Sequence, residues 1–114
     1  MPARSIDLPV YALKAELFKA LGHPVRIRAL ELLSEGDQPV STLLQEIGIE
    51  ASHLSQHLTV LRRAGVVAKS RQGNTVTYSL VDGSLATMLD AARTFLLGSL
   101  DRTTDALGED GEAR

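Results

Sequence analysis

The chain has 114 residues, of which 44% are hydrophobic and 23% are charged, with a formal net charge of −2 and no cysteine. This length and composition fit one globular domain and exclude a disordered or fibrous protein, and the lack of cysteine excludes disulfides and thiolate metal sites. Because the sequence shows neither the apolar run of a signal peptide nor about 18 consecutive apolar residues, we expect a cytoplasmic protein with no membrane partner.

The first predicted helix follows a polar arm. Residues 1–9 contain two prolines and are expected to be flexible. From Val10 onward, Leu13, Leu17 and Leu21 fall four residues apart, which is the spacing of one face of an amphipathic helix. The folded domain is therefore predicted to begin at residue 10.

A second helix is predicted to open at Pro24, because the first helical position has no hydrogen bond for a proline to remove, and to run to about Leu33. His23, directly before the proline, is expected to cap this helix rather than to bind a ligand. Arg26 and Arg28 have two candidate roles, contact with a phosphate or a surface ion pair with a glutamate of the same helix. The ion pair is the favoured role.

Two further helices are predicted after this one. The shorter has Ser41 as its expected N-cap and stops at Gly48, and the longer runs from about Ala51 to Ala64 and stops at Gly65. Two helices joined by a tight turn that contains a glycine predict a helix-turn-helix unit. The leucines of the longer helix fall at helical spacing and are expected to face the core: Leu54, Leu58 and Leu61.

A β-hairpin is predicted next, because the periodicity changes from that of a helix to that of a strand. The stretch TVTYSL at 75–80 alternates polar and apolar residues, and an apolar run at 66–68 precedes it. Gly73 and Asn74 lie between these two runs and predict the tip of the hairpin.

The helical period returns at Ser84 and continues to Leu100. This last helix is too apolar for a single packing face, which indicates that part of it contacts another molecule. Residues 101–114 are acidic and contain glycine, and they are predicted to form a disordered tail. The folded domain is thus expected to span residues 10–100.

Basic and acidic residues are unevenly distributed along the chain. Residues 51–81 carry Arg62, Arg63, Lys69 and Arg71 and no Asp or Glu, whereas acidic residues outnumber basic ones on either side. A polyanion is attracted by a local basic surface even when the rest of the protein is acidic. The negative net charge therefore does not exclude nucleic-acid binding.

Three stretches carry a family resemblance: FKALGHPVRIRALELL, VSTLLQEIGIEASHLSQHLTVLRRAGVV and RQGNTVTYSL. They are similar to the small dimeric repressors of the arsenical-resistance (ArsR) family, over about Phe18 to Leu80. The resemblance implies a mainly α-helical fold with a β-hairpin, a winged helix-turn-helix of order α-α-α-α-β-β-α that forms a homodimer through its first and last helices. It also implies a repressor that binds an inverted-repeat operator in double-stranded DNA.

A recognition helix meets base edges with its N-terminal residues, so donor and acceptor side chains should gather there. The helix that starts at residue 51 has five such side chains in its first two turns, and its two closing arginines suit phosphates or the helix dipole. The alternatives are a solvated helix face and, at the hairpin tip, turn chemistry alone. The predicted DNA-binding residues are Ser52, His53, Ser55, Gln56, His57, Arg62, Arg63, Lys69, Arg71, Gln72 and Asn74.

The first and last helices carry more apolar side chains than one small core can use. Pairing two copies across a two-fold axis would bury this surplus. The predicted dimer-interface residues are Leu13, Leu17, Leu85, Met88, Leu89, Ala92, Phe95 and Leu96.

The resemblance also bears on metal sensing, because many members of the family release DNA when a metal or metalloid binds thiolates. The matching positions here are Pro39 and Ser41, and a second family site keeps only its aspartate, Asp82. We therefore predict no metal site and no cofactor, and the inducer stays open. A sensor that responds to pH or to a metal without thiolates is an alternative, because histidines titrate near neutral pH.

Two other classes of function are less compatible with this sequence. No phosphate loop, H-E-x-x-H or G-x-S-x-G motif is present, and a domain of this size has little room for a pocket, so no catalytic residue and no enzyme activity are expected. A winged-helix module that binds proteins instead of specific DNA is the other alternative. An acidic recognition helix would favour that module, whereas residues 51–81 contain no acidic residue.

Overall fold

The computed structural model of the protein describes residues 8–113 and the side chains of residues 8–103. Within this range, the predicted order of four helices, a hairpin and a final helix is confirmed, with one short strand added before the third helix. The helices are α1 (Val10–Leu21), α2 (Pro24–Ser34), α3 (Val40–Ile47), α4 (Ala51–Arg63) and α5 (Ser84–Ala113). The strands are β1 (Gln38–Pro39), β2 (Val67–Gln72) and β3 (Thr75–Leu80).

The β2–β3 hairpin, called the wing below, has the predicted tip. Gly73 has a φ of 61°, in the left-handed region, whereas Asn74 does not have a positive φ. This combination is typical of a type II′ turn, which places glycine at its first central position and matches the twist of the two strands. The turn therefore fixes the pairing that aligns Arg71 with Val76 across the wing.

The added strand, β1, extends the sheet on the side of β3, so that the strand order is β1-β3-β2. Gln38 pairs with Tyr78 and Pro39 with Thr77, both antiparallel. Two residues are too few to show the period-2 pattern from which strands are predicted, so β1 has no signal in the sequence. Through this pairing, the start of α3 is joined to the wing.

The core lies where α2, α3 and α4 meet the base of the wing. Its largest fully buried side chains are Leu30, Leu43, Leu54, Leu58 and Leu61. The predicted inward face of α4 is therefore confirmed. Burying one leucine side chain stabilises a fold by about 1.5–3 kcal/mol, so these contacts hold α4 firmly by its inner face.

The starts of α2 and α3 are capped in different ways. The backbone N–H of Val25 donates to His23 Nδ1 at 3.1 Å, which confirms the predicted cap of α2. The predicted cap of α3 was wrong: its N-cap is Pro39, not Ser41, and no side chain caps it. Since Pro39 already pairs with Thr77 in the sheet, the chain enters α3 two residues earlier than the side-chain signal indicated.

The last helix is longer than predicted. The backbone of α5 stays helical to Ala113, past Leu100, where the sequence placed the end of the helix. Most of the predicted N-terminal arm, residues 1–7, lies outside the described residues, as does Arg114. The domain limits at residues 10 and 100, and the disorder of the tail at 101–114, stay predictions.

Candidate nucleic-acid interface

The outer face of α4 is a line of polar side chains opposite the buried leucines. Ser52, Gln56, Thr59 and Arg63 follow one another at intervals of four, three and four residues, so they share one face of the helix. Ser52, Gln56 and Arg63 are exposed. These side chains carry hydrogen-bond donors and acceptors and no negative charge, which suits contact with base edges and phosphates.

Thr59 belongs to this outer face and was not among the predicted residues. Its Oγ1 donates to the backbone carbonyl of Ser55 at 2.8 Å. This bond fixes the hydroxyl and leaves its lone pairs available to accept from a ligand. Its i, i+3 spacing from Gln56 was a signal in the sequence that would have placed it there.

Two other predicted residues of α4, His53 and Ser55, lie on the flanks of this outer face and are exposed. Arg62 and Arg63 are exposed in the last turn of the helix, where they line a shallow depression together with Thr59. Cations at a helix C-terminus are stabilised by the helix dipole, so both roles predicted for these arginines are compatible with their positions.

The wing presents a row of basic side chains toward α4. Residues two apart on a strand share a face. On one face of β2, Val67 at the base is buried, and Lys69 and Arg71 beyond it are exposed. The other predicted wing residues, Gln72 and Asn74, are exposed at the tip. The face of the wing that packs on the core at its base therefore becomes basic as it extends away from the core.

A cleft of about 360 Å³ separates α4 from the wing. Polar side chains from three elements line it: Ser41 of α3, Ser55 of α4 and Lys69 of β2, with Asn74 at the tip and Tyr78 of β3 also in the wall. Burial raises the pKa of Tyr78, so its hydroxyl is neutral at physiological pH. Hydroxyls beside a lysine ammonium suit an anionic oxygen such as that of a backbone phosphate.

His57 differs from the other predicted residues because it is half-buried and has partners within the protein. Its ring lies against that of His23, with centroids 4.2 Å apart and planes at 39°. Arg26 Nε donates to His57 Nδ1 at 3.2 Å, and Arg26 Nη1 donates to the backbone carbonyl of Ala20 at 3.0 Å. Burial, together with the proximity of His23, Arg26 and His53, lowers the pKa of His57.

The two arginines of α2 have separate roles. The expected ion pair is confirmed for Arg28, whose Nη1 lies 3.4 Å from Glu31 Oε1 on the surface. It is wrong for Arg26, which turns toward α1 and α4 and donates to Ala20 and His57. The spacing separates these two arginines, because Arg28 has Glu31 three positions on, within helical reach, whereas the residues three and four positions after Arg26 are Ala29 and Leu30.

The acid at the start of α5 has a structural contact. Asp82 Oδ1 accepts a hydrogen bond from the backbone N–H of Ser84 at 2.8 Å, and this bond lowers the pKa of the carboxyl. Among the residues that the structure describes, no three His, Asp or Glu side chains are grouped as metal ligands.

The predicted interface residues of α1 and α5 differ in burial. Leu85 is buried in the core of its own chain, and Leu17, Met88 and Leu89 are partly buried against that core. Ala92, Phe95 and Leu96 are exposed, as is Leu13. The structure adds large exposed apolar side chains that were not among the predicted interface residues: Val10, Tyr11, Phe18, Leu97 and Leu100.

Residues 23–69, which run from the cap of α2 into β2, match the family described as bacterial regulatory protein, arsR family. Over 89 residues the chain is 55% identical to the uncharacterized HTH-type transcriptional regulator Rv0081 of Mycobacterium tuberculosis, covering 77% of this chain and 78% of that protein. The chain belongs to the arsR family.

Two solved structures share the fold of this arsR-family chain. The crystal structure of Mycobacterium tuberculosis Rv0081 superimposes with a TM-score of 0.78 at 50% identity, covering 86% of this chain and 99% of that chain. The crystal structure of the transcriptional repressor BigR of Xylella fastidiosa superimposes with a TM-score of 0.68 at 40% identity, covering 71% of this chain and 83% of that chain. The resemblance seen in the sequence and the predicted fold class are thereby confirmed. None of the helices in the described part of this regulator is long and apolar enough to cross a membrane.

Proposed function

We propose that this arsR-family regulator is a homodimeric, sequence-specific DNA-binding repressor that acts by occupying an inverted-repeat operator. The observation that carries the proposal is the joint surface of α4 and the wing, defined as residues 51–81, which is polar and basic outward and contains no acidic residue. A surface without negative charge beside a cleft suits a polyanion. The relative BigR is named a transcriptional repressor, which supports repression.

The proposal gives each part of this surface a role. Ser52 and Gln56 would reach base edges in the major groove, since Gln pairs well with adenine through two hydrogen bonds. Arg71 and Lys69 would follow the flanking backbone into the minor groove. The remaining predicted residues except His57, together with Thr59, would contact phosphates and fix the position of the helix on the duplex.

A homodimer is supported by the apolar surfaces of α1 and α5. Phe95 and Leu96 are 64% and 58% exposed on α5, and Tyr11 and Phe18 are 78% and 57% exposed on α1. An exposed apolar surface of this kind indicates an interface. Tyr11 and Phe18 lie seven residues apart and share a face of α1, so we add them to the predicted interface residues.

The dimer sets the geometry of the operator. Two recognition helices related by a two-fold axis read two half-sites about 10 to 11 base pairs apart. If the dimer neutralises about six phosphates, the logarithm of its affinity should fall steeply with the logarithm of the salt concentration. The protein would act in the cytoplasm, where its operators lie, and we assign it no catalytic role and no cofactor.

Fluorescence anisotropy with DNA from the protein's own promoter region tests this function. The wild type, the double variant Gln56→Ala with Arg71→Ala, and a matched control, Arg28→Ala, are compared over a salt series. Arg28 is exposed on α2 and its ion pair is a surface one, so its removal should change little. Tight, salt-dependent binding that only the double variant loses supports the proposal. Equal affinity for the promoter and for random DNA would contradict it and favour the protein-binding module.

A further inference from the structure

The start of α2 contacts the recognition helix, α4, through Arg26, His23 and His57. Direct binding to DNA does not explain these contacts, because they lie within the protein. We propose that Arg26 and His23 are positioning residues, which hold α4 at its DNA-binding angle through the imidazole of His57. This inference rests on the proposed DNA-binding function. In it, His57 acts chiefly through its contacts within the protein, unlike the exposed residues of the outer face.

Arg26 links α1 to the recognition helix α4. Its guanidinium donates to the last turn of α1, at Ala20, and to His57 on α4, thirty-one residues away in sequence. Among the described residues, this is the one side-chain hydrogen bond that joins α4 to another helix. The leucines beneath α4 hold the helix against the core, but apolar contacts have no preferred direction. A hydrogen bond has a fixed donor and acceptor geometry, so it adds a directional constraint.

The rings of His23 and His57 are in contact. His23 is held at the start of α2 because its Nδ1 accepts from the backbone N–H of Val25. Its ring therefore has a fixed orientation, and His57 packs against it at 4.2 Å. His57 is thus held from two sides, by a ring that α2 orients and by a guanidinium that α1 orients.

The contacts of His23 and His57 depend on the protonation of their rings. Both imidazoles accept through Nδ1, so each bond requires an unprotonated Nδ1. A proton on His57 Nδ1 would turn an acceptor toward the Arg26 guanidinium into a second donor, and the bond would be lost. The other groups at this junction are His23, His53 one turn earlier on α4, and Glu16 and Lys19 of α1, which line an open depression with Arg26.

The sign of the resulting pH dependence separates this role from direct contact with DNA. A histidine that faces a phosphate gains positive charge on acidification, which strengthens binding. A histidine that positions α4 through an unprotonated Nδ1 loses its bond on acidification, which weakens binding. Burial of His57 beside other basic groups favours its neutral form near pH 7, so the positioning contacts are complete under ordinary conditions.

The test measures operator affinity by anisotropy at pH about 7.5 and about 5.5 at constant salt. His57→Asn keeps an acceptor near the position of Nδ1 but does not titrate, and Arg26→Met keeps the side-chain length without the donors. The matched controls are Arg28→Met, on the same helix as Arg26, and His53→Asn, the exposed histidine of α4. His23→Asn retains a capping acceptor but removes the ring.

We expect wild-type affinity to fall on acidification, and His57→Asn to remove most of this fall, whereas His53→Asn should not reduce it. Arg26→Met should weaken binding about tenfold at the higher pH, with Arg28→Met unchanged and with the slope of affinity against salt kept. A slope reduced by about one would mean that Arg26 contacts a phosphate itself, and this result would overturn the proposal. So would affinity that rises on acidification, or a pH profile that His57→Asn does not change.

Failure of the DNA-binding function is recognised separately, because the wild type would then show no operator preference at either pH. The contacts of His57 are read in that case from the ¹⁵N NMR spectrum of the free protein. We expect wild-type His57 to carry its proton on Nε2 near neutral pH, and Arg26→Met to abolish this preference while Arg28→Met keeps it. A His57 ring protonated on Nδ1 in the wild type would overturn the positioning role without reference to DNA.

Discussion

The two exposed surfaces of this protein differ in the chemistry of the side chains that stay outside the core. On α4, a face of buried leucines is backed by a face of Ser, Gln and Arg, so the helix has one apolar side and one polar side. On α5, the apolar residues continue beyond the core, and Phe95 and Leu96 stay exposed. The first surface has the chemistry to meet a charged ligand, whereas the second has the chemistry to meet another apolar surface.

The largest effect is expected from charging the apolar surface of α5. The variant Phe95→Glu with Leu96→Glu should be monomeric, because two carboxylates per chain would be placed in the proposed interface. Since a monomer cannot bind both half-sites at once, its operator affinity should fall at least about 100-fold. Analytical ultracentrifugation and anisotropy measure the two effects. Thr94→Glu, exposed on the same helix, is the control, and a double variant that stays dimeric would place the interface elsewhere.

The next largest effect is expected from substitutions on the two opposite faces of α4. Leu58→Ala, on the buried face, should lower the free energy of unfolding by about 2–5 kcal/mol. Gln56→Ala, on the outer face, should change that free energy by less than about 0.5 kcal/mol and weaken operator binding by about 1–3 kcal/mol. Urea unfolding and anisotropy on both variants test the assignment. A Gln56→Ala variant that binds normally would remove this residue from the proposed contacts.

The wing should contribute charge more than sequence specificity. Arg71→Ala is expected to weaken binding to operator and to random DNA by similar factors, and to reduce the slope of log affinity against log salt by about one. A salt series on both DNAs measures this, with Arg28→Ala as the control for a lost surface arginine. Loss of affinity for the operator alone would instead make Arg71 a base-reading residue.

The smallest effect concerns the stability of the fold against pH. In the folded chain, the pKa of His57 lies below its ordinary value of 6.5. At pH values between the folded pKa and 6.5, the unfolded chain therefore binds more protons than the folded chain. The stabilisation is therefore complete above pH 6.5 and is lost as the pH falls through the folded pKa. Urea unfolding should show this fall in the wild type and a flatter profile for His57→Asn. An equal fall in both would mean that other groups cause it.

Local patterns predicted much of this molecule because their causes are local. The leucine spacing of α4, the Gly73-Asn74 tip and the His23 cap each depend on residues within a few positions of one another. The same spacing rule would have found Thr59.

Other features depend on residues that are distant in the chain. The cap of α3 shifted because Pro39 pairs with Thr77, and Arg26 bonds to His57 because folding brings these two distant residues within reach. A two-residue strand and a bond across thirty-one positions leave no periodic trace. Tertiary contacts decided these features, as they often do where local signals are weak.

The short strand β1 has a mechanical consequence for any signal that this regulator receives. Because Gln38 and Pro39 pair with β3, the wing and the start of α3 are parts of one sheet. A signal that moved the wing relative to α3 would have to break this backbone pairing. A signal that changed the distance and angle between two protomers would leave the pairing intact.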